Sequence, residues 1–379
     1  MPLSTSNFKD KLRLPRMFFA RPDEIAPRDH ERPIPPLPWR GITVIVLLGV
    51  IAATMAWEFY CRSLGYGISL NDNEDLWTTA RRKVKPESIV IIGDSRAWFD
   101  LDLDEIQNGL GKRPVQLALP GSCGYPVLAE LAHDESFHGT IICSIVPRLF
   151  FAPPGSPPVN RVEKAVRRSH NQTLAQRASE YLAIPLEEHV AFLKQEDLTL
   201  EQLLVRLSIP NRPGALVPPR LPPYFQAVDR ERRARMIEAC ARPGKLSSSI
   251  QQIWLGLFTP PPPPTYIPRD IFGAKMQQAV ATRFRDITAA VEKLRARGGK
   301  IVFVRFPHSG GLKELEDRET PRAQTWDPLL QSTKAPGIYY TDFPELSTFT
   351  CPEWSHLSAG DSVEFTRRLV PHLRDALEL

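Results

Sequence analysis

Short, largely apolar runs alternate with amphipathic segments along much of the chain. The apolar runs occupy positions 88–92, 115–119, 140–146, 300–306 and 337–341. Runs of this length with little polar alternation are typical of parallel strands that are buried on both faces. We therefore expect a parallel sheet of about five strands.

Segments with helical character separate these runs. Positions 102–110 and 125–132 are long enough for helical crossovers, and apolar residues recur at helical spacing over 280–294. Gly298 ends that pattern, and a last helix is expected from about Ser358. Strands that alternate with helices predict an α/β fold with a doubly wound sheet, covered by helices on both sides.

Residues 153–275 interrupt this alternation. Amphipathic helical pieces are predicted at 179–194, 198–207 and 229–241, and five consecutive prolines occupy 260–264. The 38 prolines of the chain cluster between such pieces, where neither a helix interior nor a central strand can form. This pattern predicts a helical, Pro-rich insertion that could serve as a lid, a substrate wall or a docking surface for a partner.

An uncharged apolar stretch covers residues 41–57, at the short end of what spans a bilayer as a helix. Trp39, Trp57 and Tyr60 flank it at the depth of the membrane interface. Eight Lys and Arg residues precede it and acidic residues follow, so the positive-inside bias predicts a cytoplasmic N-terminus. A buried core helix and a cleaved signal peptide are the alternatives, but the one-sided flanks and the long leader favour an uncleaved anchor.

These patterns divide the chain into six parts. The expected parts are a cytoplasmic disordered tail (1–40), a transmembrane helix (41–61), a juxtamembrane linker (62–85), the first part of the α/β core (86–152), the insertion (153–275) and the second part of the core (276–379). The core would then be a periplasmic domain, held at a bacterial inner membrane by a single helix.

Composition excludes several classes of protein. The 42% hydrophobic and 24% charged content is that of a globular protein rather than a disordered, collagenous or disulfide-framework chain. The net charge of +5 is spread along the chain without a basic and aromatic patch, so no nucleic-acid partner is expected. The five cysteines form no C-x-x-C pair, and no His cluster at ligand spacing predicts a metal site. Outside the cytoplasm, one or two disulfides would be allowed.

Candidate chemistry begins directly after the first predicted strand, at Gly93, Asp94 and Ser95. In a parallel sheet, ligands bind at the carboxyl ends of the strands. A serine in a tight turn from a strand to a helix presents its hydroxyl there, where the helix N-terminus stabilises developing negative charge. Ser95 is therefore a candidate nucleophile, although Asp-Ser is also a common helix N-cap.

A base for this serine is expected in the loop before the last helix, where His356 follows Glu353 by three residues. Glu353 could hold one ring nitrogen of His356 while the other accepts the serine proton. The alternative is an exposed surface loop. A glycine-rich turn that ends at Gly124 follows the second predicted strand and could direct main-chain amides into the same site, although such turns often serve chain reversal alone.

These motifs together resemble the SGNH (GDSL-like) hydrolase and acyltransferase superfamily, over about 86–150 and 276–379. The resemblance implies a flavodoxin-like sheet, with Ser95 as nucleophile, His356 as base and Glu353 as its orienting acid. It also implies an oxyanion hole formed by the amides of Ser95 and Gly124. Two features depart from the family: Glu353 replaces its Asp, and its Asn after the third strand is missing. Arg148 is the candidate substitute for that third donor.

Five further residues are candidates for contact with substrate. They are Arg96, Trp98, Tyr125, His308 and Trp354, with Phe99 as another aromatic surface for a sugar ring. The aromatic members could equally be core residues, and His308 could be a simple loop residue.

The resemblance implies acyl transfer through a serine acyl-enzyme, without a cofactor. A single-pass, outward-facing protein of this type resembles the membrane-tethered proteins that O-acylate cell-surface polysaccharides, as in alginate acetylation. It would transfer an acetyl or other acyl group to a polysaccharide or glycolipid. Because coenzyme A thioesters are absent outside the cytoplasm, a multi-pass membrane-bound O-acyltransferase is the expected partner. A membrane-anchored carbohydrate esterase and a non-catalytic envelope adaptor are the alternatives.

Overall fold

The computed structural model describes residues 37–194, 198, 200, 204, 221–260 and 267–378. The chain divides into two units, Met1–Trp57 and Glu58–Leu379, which are described separately. Most of the predicted tail lies outside the described residues. The described part of the first unit belongs to helix α1 (Trp39–Ser63), which is long and apolar enough to cross a membrane. It begins and ends two residues beyond the predicted span of 41–61.

The described residues of the second unit form two sheets. Their strands are β1 (Ile89–Ile92), β2 (Val115–Gln116), β3 (Thr140–Ser144), β4 (Gln226–Val228), β5 (Ala234–Met236), β6 (Lys300–Arg305) and β7 (Gly337–Tyr339). The larger sheet has the order β2-β1-β3-β6-β7, and all of its neighbouring strands are parallel. The predicted α/β fold with a five-stranded parallel sheet is therefore confirmed.

Helices cover the larger sheet. In chain order they are α2 (Glu74–Arg81), α3 (Ser95–Asp100), α4 (Leu103–Leu110), α5 (Tyr125–His133), α6 (Pro147–Phe150), α7 (Pro157–Asn171), α8 (Leu174–Glu187), α9 (Glu238–Ala241), α10 (Lys245–Phe258), α11 (Arg269–Arg295), α12 (Gly310–Glu319), α13 (Arg322–Thr333), α14 (Pro344–Ser347) and α15 (Ala359–Leu377). Single-turn 3-10 helices occur at Ala191–Leu193 and Tyr340–Asp342.

Successive strand residues enter opposite layers of the core. Ile91 belongs to a cluster that includes Phe365 and Leu369 of α15. Its neighbours Val90 and Ile92 belong to a second cluster, which includes residues of α5 and α11. Because side chains alternate across a strand, a continuously apolar run requires cover on both faces of the sheet.

The insertion is not wholly helical, which corrects the prediction. Strands β4 and β5 pair as an antiparallel hairpin, and residues 229–241 form a turn, β5 and the short α9 instead of one helix. The side chain of Asp229 accepts hydrogen bonds from the amides of Glu231 and Arg233. Such local bonds favour a turn over a helix. The prediction at 198–207 and the proline run fall largely outside the described residues.

The predicted juxtamembrane linker contains a packed helix. Trp77 of α2 is fully buried, and its indole N–H donates to the carbonyl of Leu117 at 3.0 Å. Nearby, the Arg232 guanidinium of the hairpin forms a buried ion pair with Asp72. Residues 62–85 are therefore part of the folded unit. All five cysteines are buried and free, so the structure contains none of the disulfides that the sequence would allow.

Candidate active site

The turn that holds Ser95 is built by close contact between β1 and β3. Gly93 has a φ of +124°, and a Cβ there would lie 2.7 Å from Cβ of Ser144. Asp94 caps α3 by accepting from the amide of Arg96 at 2.9 Å, and its other oxygen accepts from the Ser144 hydroxyl at 2.9 Å. This arrangement fixes Ser95 as the first residue of α3, partly exposed at the carboxyl end of β1.

Glu353 orients the imidazole of His356. One carboxylate oxygen accepts from Nδ1 of His356 at 2.7 Å and from the amide of the same residue at 2.7 Å, and the other accepts from the amide of Ser355 at 3.2 Å. Because a carboxylate can only accept, Nδ1 carries the proton and Nε2 of the neutral ring is left as an acceptor. Nε2 is buried and has no hydrogen-bond partner in the described part of the chain.

Contacts with α3 bring His356 towards Ser95. The imidazole stacks on the ring of Phe99 with 4.3 Å between centroids, and the amide of Leu357 donates to Asp100 at 2.8 Å. Ser95 and Phe99 are four residues apart and share one face of α3. His356 therefore packs on the helix face that begins at Ser95, although its Nε2 forms no hydrogen bond with the serine hydroxyl in this structure.

The glycine-rich turn places the start of α5 against the serine turn. A Cβ on Gly124 would lie 2.9 Å from Cα of Gly93, so the two backbones are in direct contact. Within the described ranges, the amides of Ser95 and Gly124 donate to no protein acceptor. Two free amides at the starts of neighbouring helices are the kind of donors that stabilise an oxyanion.

The structure places Arg148 on α6, after β3. Its guanidinium donates to the carbonyl of Thr259 at 3.3 Å, and burial lowers the pKa of the group. This bond joins Arg148 to the main chain of the insertion. No contact brings it to the amides of Ser95 and Gly124 among the described residues, so its role as a third donor stays a prediction.

Arg96 and His308 belong to a buried charge cluster. Arg96 donates to Glu316 at 3.1 Å, Arg305 pairs with the same carboxylate, and Nε2 of His308 lies 3.1 Å from the Arg305 guanidinium. Although burial alone would raise it, Arg96 and Arg305 hold the pKa of Glu316 well below its usual range. Burial and both guanidinium groups lower the pKa of His308 well below its usual range. Both predicted substrate contacts thus have partners inside the protein.

The predicted aromatic contacts differ in exposure. Trp98 is fully buried and meets Phe99 edge-on, with 5.4 Å between ring centroids. Tyr125 is half-buried with the Arg283 guanidinium 4.3 Å from its ring centroid, and Trp354 is partly exposed. Tyr125 and Trp354 therefore remain accessible candidates for substrate contact, whereas Trp98 is part of the core.

Two aromatic residues of the insertion, Phe225 and Trp254, complete the surroundings of His356. The indole N–H of Trp254 on α10 donates to Glu353, and its ring meets His356 edge-on at 5.7 Å between centroids. Phe225 stacks on Phe99 at 5.4 Å. Sequence reasoning missed both residues, because neither stands in a motif with the residues that it contacts.

No protein-family model matches this sequence, and a search of curated proteins finds no significant match.

A further buried carboxyl, Asp100, lies beside the site. One oxygen accepts from the amide of Leu357, and the other has no partner among the described residues. Burial raises the pKa of Asp100 well above its usual range. The amide of Leu357 and the charge of Arg96 lower this pKa in part, whereas Glu353 and Asp94 raise it. Protonation is thus easier at Asp100 than at an exposed aspartate.

Proposed function

We propose that the protein is a membrane-anchored O-acyltransferase that works through an acyl-enzyme on Ser95. The observation that carries the proposal is the unpartnered Nε2 of His356, on a ring oriented by Glu353 and packed on the α3 face that begins at Ser95. A buried imidazole with one nitrogen fixed and the other free to accept is what a general base for a serine requires.

The reaction would proceed in two steps, acylation of Ser95 and transfer of the acyl group to an acceptor. In the first, Oγ of Ser95 attacks the acyl carbonyl while Nε2 of His356 takes the hydroxyl proton, and the amides of Ser95 and Gly124 stabilise the oxyanion. The C–O bond to the donor alcohol then breaks, and His356 returns the proton to that alcohol. In the second, an acceptor hydroxyl attacks the ester, His356 takes its proton, and Ser95 leaves and regains a proton.

The topology supports an SGNH-like fold for this chemistry. When the β4–β5 hairpin is set aside, the sheet order reads 2-1-3-4-5 in chain order, which is that of flavodoxin-like sheets. Ser95, Arg148 and His308 follow the first, third and fourth strands of that sheet, where a ligand site is expected.

The closed surroundings of His356 favour acyl transfer over hydrolysis. The imidazole is buried between Phe99, Phe225 and Trp254, so bulk water does not reach its free nitrogen in this state. Exclusion of water protects an acyl-enzyme until the acceptor arrives. An esterase would need a path for water to the same nitrogen, whereas in a transferase the bound acceptor alone would open one.

The anchor supports a location at the membrane surface. The excess of Lys and Arg before the apolar helix favours a cytoplasmic N-terminus and a periplasmic catalytic unit. A single helix cannot carry an acyl group across a bilayer, so the donor would be a multi-pass membrane-bound O-acyltransferase. The acceptor would be a hydroxyl of a polysaccharide or glycolipid.

The proposal is tested by trapping the acyl-enzyme on the full chain in detergent micelles. Incubation with p-nitrophenyl acetate should add one acetyl group, mapped to Ser95 by mass spectrometry of peptides. Ser95→Ala should abolish the adduct, whereas Ser169→Ala on α7 should retain it.

The fate of the adduct separates transfer from hydrolysis. Slow loss of the adduct in water with faster loss to a sugar acceptor supports transfer, and fast loss in water supports the esterase. Absence of any Ser95-dependent adduct would contradict the serine mechanism.

A further inference from the structure

Helix α8 turns its acidic side inward and its apolar side outward. Glu180 and Glu187 are only 8% and 6% exposed, whereas Leu174, Leu182 and Leu186 are 84%, 69% and 57% exposed. The three leucines are spaced by eight and four residues, so they form one stripe along the helix. We call this stripe, together with Tyr181, the α8 apolar face.

This arrangement is the reverse of an ordinary surface helix. Burial of a carboxylate costs free energy unless the carboxylate is paired. Leucines that stay exposed to water do not gain the free energy that burial of their apolar surface would provide. The buried side is specific, since Glu187 accepts from the amide of Asn71 at 2.8 Å and Glu180 accepts from the side chain of Asn73 at 3.5 Å. The contacts of its acidic side therefore fix the orientation of α8. An exposed apolar face of this kind indicates a surface that binds a partner or a membrane.

Residues just after α8 form hydrogen bonds with residues just after the apolar stretch. The Glu58 carboxylate accepts from the amides of Ala191 and Phe192 at 2.9 and 3.1 Å. The Arg62 guanidinium donates to the carbonyl of His189 at 3.3 Å. Glu58 follows the last residue of the apolar stretch, at which the chain would leave the bilayer. The chain at the end of α8 is thus hydrogen-bonded to residues that directly follow the apolar stretch.

We propose that the α8 apolar face lies in the headgroup region of the bilayer that contains the apolar helix. A helix with leucines on one side and charged groups on the other suits this position, and the leucines would enter the boundary between headgroups and acyl chains. Tyr181 suits it as well, because tyrosine is enriched at membrane interfaces. Arg177, whose guanidinium lies 5.6 Å from the centroid of the Tyr181 ring, can reach lipid phosphates. Helix α8 would then attach the chain to the membrane surface in addition to the apolar helix.

Spin labels on the full chain in vesicles test this proposal. The native cysteines are all buried, so a label attached to Leu182→Cys or Leu186→Cys reports on the α8 apolar face. Vesicles of phosphatidylcholine with phosphatidylglycerol would be used, with oxygen as the lipid-soluble collision reagent and a nickel chelate as the water-soluble one. We expect the ratio of oxygen to nickel collisions at both positions to exceed, several-fold, the ratio at a water-facing control.

The matched control is Arg318→Cys on α12, whose side chain is 68% exposed and thus comparable to that of Leu182. It should be accessible to the nickel chelate. Equal ratios at positions 182, 186 and 318 would overturn the proposal, since the face would then be in water. Protection of positions 182 and 186 from both reagents would also overturn it, because protein would then cover the face. None of these readouts depends on the activity of Ser95.

Discussion

The carboxylate of Glu353 is the residue on which the geometry of His356 depends. It accepts hydrogen bonds from two main-chain amides, from the imidazole and from the indole of Trp254. A buried carboxylate with this many donors is held in one rotamer. The donor from Trp254 comes from the insertion, so the insertion contributes directly to the proposed catalytic residues.

Replacement of Trp254 by Phe tests that contribution. The variant keeps an aromatic ring near His356 but removes the N–H that donates to Glu353. We expect the rate of acetyl transfer to Ser95 to fall about 10-fold, equivalent to the loss of one buried hydrogen bond. The measurement is the rate of adduct formation on Ser95, followed by mass spectrometry.

The control for this variant is Trp77→Phe. It also removes a buried indole hydrogen bond, to the carbonyl of Leu117, but it does so in the other core cluster. Trp77→Phe should lower the melting temperature and leave the rate of adduct formation on Ser95 unchanged. If Trp254→Phe also forms the adduct at the wild-type rate, Trp254 only fills space.

Residues near each other in sequence could be predicted as a site, and distant ones could not. Glu353 and His356 are three positions apart, and Asp94 and Ser95 stand at the end of an apolar run, so local spacing indicated their chemistry. Trp254 is 99 positions from Glu353, and its contact depends on how α10 packs. The hydrogen bond between Arg96 and Glu316, which are 220 positions apart, likewise could not be predicted from the sequence.

At the scale of elements, the site depends on contact between the starts of α3 and α5. Gly124→Ala would place a Cβ 2.9 Å from Cα of Gly93 and 3.2 Å from its nitrogen. No side chain can yield there, so the start of α5 must move away from Ser95. We expect the rate of acetyl transfer to fall about 100-fold, as for loss of one oxyanion donor.

Gly360→Ala is the matched change at the start of another helix, α15. A Cβ at Gly360 would meet nothing within 4 Å, and alanine favours a helix. This variant should retain the wild-type rate of adduct formation by mass spectrometry. A Gly124→Ala enzyme as fast as the Gly360→Ala enzyme would exclude the Gly124 amide from the oxyanion site.

Element types followed from the sequence wherever one signal was dominant. Continuous apolar runs indicated each strand of the larger sheet, because only a doubly covered strand requires them. The β4–β5 hairpin was missed because its strands have three residues each, too few for periodicity to show. At residues 229–233, the hydrogen bonds of Asp229 outweighed a pattern that resembled an amphipathic helix.

At the scale of the whole molecule, one carboxylate connects three elements around the site. Glu316 on α12 pairs with Arg96 on α3 and with Arg305 at the end of β6. All three side chains are buried, so removal of the carboxylate would leave two guanidinium groups without their charged partner. The loss of a buried partner typically costs roughly 3–5 kcal/mol. We expect Glu316→Gln to lower the melting temperature by roughly 10 °C, measured by circular dichroism in micelles.

The pH dependence of this loss separates charge from packing. The pKa of Glu316 lies below its ordinary value of 4.5, so its ionised form stabilises the fold above that pH. The stabilisation by ionised Glu316 is lost as the pH falls through the lowered pKa of this group. The difference between wild type and Glu316→Gln should therefore be constant at neutral pH and shrink in acid. Glu364→Gln, which removes an exposed partner of Arg368, should leave the melting temperature close to that of the wild type at any pH. If the stability difference between wild type and Glu316→Gln stays the same in acid, packing rather than charge at Glu316 stabilises the contact of α3, β6 and α12.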